Sequence, residues 1–255
     1  ALVLNYPPLI YWFFGLFKMA RKERCLLLTP YNEDYRGQRN KFLSLIRAES
    51  VSFLSHLGAA VIATGLEKEG LEVKVEDLHN PKALELASGF DFVGISAMTP
   101  DSDRAISVAE GLGRRNIPVV GGGSYFSMNI EEAIKRAPNL SIVKGEAEGL
   151  FKEIIDGLRK RESGKVYSRD KPLDLKNEYT PAQRRFLPNG RKPQGESFLS
   201  AMELGRGCNN SCDFCGANFI PAVRHRSIES IAEELNTIPP NKRIGLVDNN
   251  ISAYP

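Results

Sequence analysis

Phe92-Val-Gly-Ile-Ser-Ala97 is the stretch that decides the fold. A strand covered on one face alternates apolar and polar side chains, whereas this run is apolar throughout and uncharged. That is the pattern of a central strand buried on both faces by crossover helices, hence of a parallel sheet. The segments around it agree. Upstream, Cys25-Leu-Leu-Leu-Thr-Pro30 reads as a first strand, Val51 to Glu69 as its crossover helix with Gly70 as the stop, and Glu72 to Leu78 as a half-covered second strand. Downstream, a helix is expected from Pro100-Asp101 to Arg115, with Ile106, Ala109 and Leu112 on one side. Pro118-Val-Val120 then enters Gly121-Gly-Gly123, followed by a helix through Glu131 to Arg136. Ser141-Ile-Val143 is a fifth strand, leading through Lys144-Gly-Glu146 into a helix from Phe151 to Lys160.

Strand-then-helix alternation of this kind implies an α/β domain, a doubly wound flavodoxin- or Rossmann-like parallel sheet over residues 23–160. Residues 161–196, rich in Arg, Lys, Asp, Pro and Gly and without sustained periodicity, read as an interdomain linker. Order resumes with a strand at Phe198 to Leu204, a helix capped by Ser227 and a strand at Arg243 to Val247. These make residues 197–255 the start of a (β/α) TIM-type barrel. With two strands in view this barrel is expected to be incomplete, and the chain inactive by itself.

Composition bounds the function without naming it. The 255 residues are 42% hydrophobic and 25% charged with a net charge of +3, ordinary for a folded domain. Basic residues are scattered among acidic ones, so the concentrated footprint of a nucleic-acid binder is missing. Residues 1–22 are expected to be an N-terminal extension outside the core. Their apolar run is interrupted by Pro7-Pro8, lacks a signal peptide's basic start and is too short to span a bilayer comfortably. An interfacial or partner-binding segment is the competing reading.

Three of the four cysteines crowd into eight residues, which points to metal ligation in a reducing, cytoplasmic setting rather than to disulfides. The motif is Gly205-Arg-Gly-Cys208-Asn-Asn-Ser-Cys212-Asp-Phe-Cys215-Gly216, a C-x3-C-x2-C spacing just after a strand. Soft thiolates suit iron–sulfur clusters and zinc. A structural site usually closes with four protein ligands, whereas three cysteines leave one iron open to a cofactor or substrate. A structural zinc or iron–sulfur module without catalysis is the alternative of a different class, and His225 as a fourth ligand would make it a zinc site. Cys25, at the head of an apolar strand, reads as a small buried hydrophobe.

The cysteine spacing, with the aromatic Phe214 before the last cysteine, resembles the radical S-adenosylmethionine superfamily. The resemblance implies a four-iron four-sulfur cluster on Cys208, Cys212 and Cys215. Its open iron would be chelated by S-adenosylmethionine, which an electron cleaves to a 5′-deoxyadenosyl radical. Phe214 would lie against the adenine, and Asp248 and Asn250, at the second barrel strand end, would face the same cofactor. An external flavodoxin- or ferredoxin-type electron donor is implied with them. Asp91 to Pro100, Ile117 to Gly123, Val143 to Glu148, Arg224-His-Arg226-Ser227 and Val247 to Asn250 resemble the subgroup with an N-terminal cobalamin-binding domain. That resemblance implies methyl transfer to an unactivated centre of a small molecule. Oxidative cyclisation or another radical rearrangement is the alternative within the same architecture.

The same segments make sense as a ligand site, because loops at the carboxyl ends of parallel strands line the crevice of an open α/β sheet. Gly121, Gly122 and Gly123 let the backbone approach a bulky ligand, Ser96 and Thr99 offer hydroxyls, and Glu146 could touch the ligand. Glu146 and Glu148 would equally suit the start of the following helix. Many cobalamin-binding domains carry Asp-x-His-x-x-Gly after the first strand, with the histidine on cobalt. Tyr31 to Gly37 contains no histidine, and His79, after the second strand, reads as an ordinary loop residue.

Overall fold

A computed structural model describes residues 21–30, 57–186, 199–210, 212–213, 215, 222–238, 240 and 243–253. Strands β1 (Arg24–Thr29), β2 (Glu72–Asp77), β3 (Phe92–Ser96), β4 (Val119–Gly122), β5 (Leu140–Lys144) and β6 (Val166–Ser168) form one parallel sheet in the order β2-β1-β3-β4-β5-β6. Chain order reverses between β1 and β3. An open α/β sheet presents its crevice at such a point, outside the carboxyl ends of the strands.

The two faces of the sheet are sorted residue by residue along each strand, because successive side chains point to opposite sides. On β1, Cys25 and Leu27 join a core with helix α1 (Leu57–Lys68) and helix α6 (Phe151–Arg159). Leu26 and Leu28 join the opposite core. There β1 and β3 meet helix α2 (Ala83–Ala87), helix α3 (Ser102–Arg114) and helix α5 (Ile130–Arg136). Helices therefore cover both faces, as a doubly wound sheet requires. In β3, Phe92, Val93, Gly94 and Ile95 are all buried, matching the uncharged run. A Cβ on Gly94 would come within 2.5 Å of the Leu27 side chain, so the neighbouring strand fills the space a side chain would need. Ile106, Ala109 and Leu112 are fully buried on α3, which follows a 3₁₀ turn at Thr99–Asp101. Each large aliphatic buried this way stabilises the fold by about 1.5–3 kcal/mol.

One expectation is corrected. The first part of the supposed linker is built into the domain: Val166–Ser168 pairs with β5 as a sixth strand, and Tyr167 is 1% exposed. Leu173, Leu175, Ala182 and Phe186 are buried too, and the Gln183 N–H donates to Thr64 Oγ1 on α1 at 2.9 Å. A three-residue edge strand with a single buried side chain has too few positions to show a period of two. Residues 187–196, the N-terminal residues 1–20 and the expected first turns of α1 lie outside the described residues.

Beyond them, β7 (Leu199–Met202) and β10 (Arg243–Leu246) pair in parallel with helix α7 (Ile228–Leu235) between them in sequence, a βαβ unit. Short strands β8 (Gly205–Arg206) and β9 (Arg224–His225) pair antiparallel. Ser227 caps α7 through a bond from the Ser230 N–H, as its position suggests. Among the described residues no helix is long and apolar enough to cross a membrane.

Candidate functional site

A cavity of about 670 Å³ opens at the carboxyl ends of β3, β4 and β5 and runs down between the sheet and helices α1 and α6. Its floor is apolar, with Leu27, Val120, Val143 and Ile155 among its walls. Its mouth is polar. Ser96 ends β3 there, Gly121 and Gly122 end β4, and Gly145 and Glu146 follow β5. The size falls within the usual range for small-molecule and cofactor sites.

The three glycines do different things. Gly123 sits at φ +89°, ψ −178°, a backbone region essentially reserved for glycine, and a Cβ there would lie 2.8 Å from the Ala97 carbonyl oxygen. It makes the turn from β4 into helix α4 (Ser124–Met128). A Cβ on Gly121 would crowd the Phe126 ring at 3.0 Å. Gly122 has nothing within 4 Å of where its Cβ would stand, so it leaves the mouth open. Of the residues expected at this site, Ser96, Gly121, Gly122, Gly123 and Glu146 line the cavity, whereas Thr99 is exposed on its 3₁₀ turn and is not in the lining. His79 lies elsewhere, with Nε2 2.9 Å from Asp101 Oδ1.

The far wall comes from the second unit: Glu203, Arg206, Val247 and Asn249 line the same cavity. Arg206 is held by three carboxylates, Glu146 at 3.0 Å, Glu148 at 2.7 Å and Glu203 at 2.8 Å. Burial alone would lower its pKa, but Glu148 and Glu203 outweigh that and hold the guanidinium protonated above its ordinary value. Burial also works against an ionised Glu146. Hydrogen bonds from Arg224, the Leu173 N–H and Arg206 prevail, and its pKa is lowered. Glu203 goes the other way: desolvation dominates the pull of Arg206, and its pKa is raised. Neither Glu146 nor Glu148 is in the first turn of α6, which starts at Phe151 with Glu153 as its acidic residue. The helix-dipole reading of these two carboxylates is therefore corrected.

The cysteine loop is fixed from beneath by the end of β10. Asp248 Oδ1 accepts from the Leu204 and Gly205 N–H groups at 2.9 and 3.0 Å, and Asn249 Oδ1 accepts from the Gly207 N–H at 3.1 Å. Cys208 Sγ has two donors at 3.5 Å, the Asn210 N–H and Asn250 Nδ2. N–H donors to sulfur are among the contacts that tune a cysteine ligating iron, so the donor set fits a cluster ligand. Cys208, Cys212 and Cys215 are all partly exposed. Among the described residues no three His, Cys, Asp or Glu side chains converge as a metal site. Phe214 lies outside the described residues. Cys25 is buried and its thiol is pushed up to about 12 by desolvation, in keeping with a packing role.

Two contributors escaped sequence reasoning. Glu203 and Tyr179 sit against the arginines, with Arg226 stacked 4.0 Å over the Tyr179 ring. A carboxylate closing an apolar strand, three residues before an arginine, was the signal available for Glu203.

A family model described as the B12 binding domain matches residues 43–155. The chain is 29% identical over 170 residues to a bacteriochlorophyllide d C-8(2)-methyltransferase of Chlorobaculum tepidum, covering 64% of this chain and 36% of the relative. It is 30% identical over 210 residues to an uncharacterized methyltransferase of Pyrococcus horikoshii, covering 71% of this chain and 45% of the relative. The chain thus spans less than half the length of the curated relatives it matches. Among solved structures it resembles the radical S-adenosylmethionine methyltransferase TsrM from Kitasatospora setae. The TM-score is 0.60 at 17% identity, over 91% of this chain and 49% of that one. That likeness is one of fold, and it takes in both the six-stranded sheet and the βαβ unit that follows it.

Proposed function

We propose that the chain is the cofactor-bearing part of a cobalamin-dependent radical S-adenosylmethionine methyltransferase. Cobalamin would occupy the cavity, a four-iron four-sulfur cluster would sit on Cys208, Cys212 and Cys215, and S-adenosylmethionine would bind beside the cluster. The observation that carries this reading is that one cavity is walled both by the sheet that matches the B12 binding domain and by Arg206, which immediately precedes the cysteine loop. The methyltransferase names of the two relatives support the reaction class.

When bound, the cobalamin would supply a methyl carrier and the cluster a one-electron reductant for the sulfonium. The rest is done by the chain's own residues. Gly122 admits a bulky ring system to the backbone of β4 and Ser96 offers a hydroxyl beside it. The apolar floor, with Leu27, Val120, Val143 and Ile155, would pack against the apolar parts of the same ligand. Asn250 and the Asn210 N–H donate to the Cys208 sulfur and orient it. Electrons would come from a flavodoxin- or ferredoxin-type donor, and the methyl acceptor would be a small molecule.

Anaerobic reconstitution of the chain should give a brown protein with about four irons. A colourless protein holding one tight zinc would overturn the cluster assignment. Cys212→Ala should lose the iron, and unchanged iron content in that variant would remove Cys212 from the ligand set. Titration with hydroxocobalamin should saturate at one equivalent, and an absence of binding would withdraw the cobalamin assignment.

A further inference from the structure

Residues 207–223, which contain all three loop cysteines, leave and return through paired strands β8 and β9. Arg206 and Arg224 face each other in that pairing, so they form the neck of the loop. Both end on one carboxylate. Glu146 Oε1 accepts from Arg206 and Arg224 at 3.0 Å each, and Oε2 accepts from Arg224 at 2.9 Å and from the Leu173 N–H at 3.0 Å. A carboxylate offers about four lone-pair sites. Three donor groups, Arg206 Nη1, Arg224 Nη1 and the Leu173 N–H, share those of Glu146, so its acceptor capacity is largely spent on the neck of the loop rather than on a ligand in the cavity it lines. Glu148, two residues on, holds the other end of the Arg206 guanidinium.

We propose that Glu146 is a positioning residue that latches the neck of the cysteine loop to the end of β5 and thereby couples filling of the cavity to loading of the cysteines. The coupling rests on the reading above that the cavity takes cobalamin and the cysteines take a cluster; the latch does not. Glu146 and Arg206 both line the cavity, so a ligand pressing on that wall restrains the side chains that restrain the loop. A cluster held by the loop cysteines would restrain the same wall from the other side. Such coupling is reciprocal by thermodynamic necessity.

The test uses the whole chain and the variants Glu146→Gln and Glu146→Asp. Hydrogen exchange on cofactor-free protein reads the latch directly. Glu146→Gln should raise exchange in residues 205–225 while the amides of β3 and β4 keep their protection, and unaltered exchange in the loop would overturn the latch. The dissociation constant of hydroxocobalamin is then measured on iron-free and iron-loaded protein. In the natural chain the two values should differ by about 5-fold or more. In Glu146→Gln the ratio should fall toward one, and Glu146→Asp should recover part of it. A ratio unchanged in Glu146→Gln would overturn the coupling. Should Glu146→Gln fail to fold, Arg224→Gln serves instead: it removes the Nη1 that reaches both Glu146 oxygens and leaves Glu146 itself in place. If hydroxocobalamin does not bind the natural chain, the functional reading fails, and the exchange experiment still decides the latch.

Discussion

The two parts of the molecule are held together by different physics. The six-stranded sheet is sandwiched between two apolar cores, with Leu26, Val93, Ile106, Leu112, Leu140 and Ile142 all at 0% exposure. In the unit that carries the cysteines, Ala201 and Met202 are buried, but Ile228, Leu235, Ile244 and Leu246 are 40–79% exposed. What fixes that unit is polar. Arg226 and Glu234 are paired with side-chain exposures of 0% and 1%, Arg184 reaches Glu234 from residue 184 at 2.6 Å, and Arg206 and Arg224 reach back to Glu146. The sheet domain is therefore tolerant of charge loss and sensitive to lost volume. The cysteine unit should show the reverse, because breaking a buried ion pair leaves an uncompensated charge.

The sharpest way to break this contrast is Glu234→Ala. It strands Arg226 in a buried position and should cost about 3–5 kcal/mol, read by denaturant unfolding. A cost below about 1 kcal/mol would mean that the cysteine unit is not held by its ion pairs. Leu26→Ala is the matching test in the sheet. It removes a fully buried side chain and leaves a cavity, so about 2–5 kcal/mol should be lost. A near-neutral result would show that the sheet's core is not what stabilises it.

A finer contrast lies within one glycine run. Gly123→Ala forces a Cβ into a glycine-only backbone region and against the Ala97 oxygen, which should cost about 1–3 kcal/mol. Gly122→Ala meets nothing and should leave stability nearly unchanged while weakening hydroxocobalamin binding, since the new methyl group projects into the cavity mouth. Equal losses of stability in the two variants would mean that the run is a turn and not a binding feature.

How far the sequence could be read follows from the range of each interaction. The parallel sheet was legible because Phe92 to Ala97 declares its burial locally, and the crossover helices declare theirs with a 3.6-residue period. Strand β6 was not, since Val166–Ser168 buries one residue in three. At the site, the glycine turn was legible from composition alone. The role of Glu146 was not: its partners stand 60 and 78 positions away, and a sequence with 34 Lys and Arg residues does not say which of them meets a given carboxylate. The sequence also does not show that Thr99 opens a 3₁₀ turn, on which it is exposed and outside the cavity lining.

The smallest effect concerns helix α7, where both kinds of restraint meet. Ser227, in extended backbone at φ −69°, ψ 151°, accepts the Ser230 N–H and so satisfies one of the helix's free N-terminal donors. The same helix carries Glu234 one residue before its end. If ion pairs anchor the helix, the cap is a local refinement, and Ser227→Ala should cost about 1 kcal/mol, well below Glu234→Ala. Cap and ion pair meet at Ser230, which donates its N–H to Ser227 and accepts from Arg226 through its hydroxyl and carbonyl oxygens, so the double variant should depart from the sum of the two. A loss on Ser227→Ala as large as that of Glu234→Ala would reverse the assignment. The helix would then be held by its own start, and the buried arginines would be following it rather than fixing it.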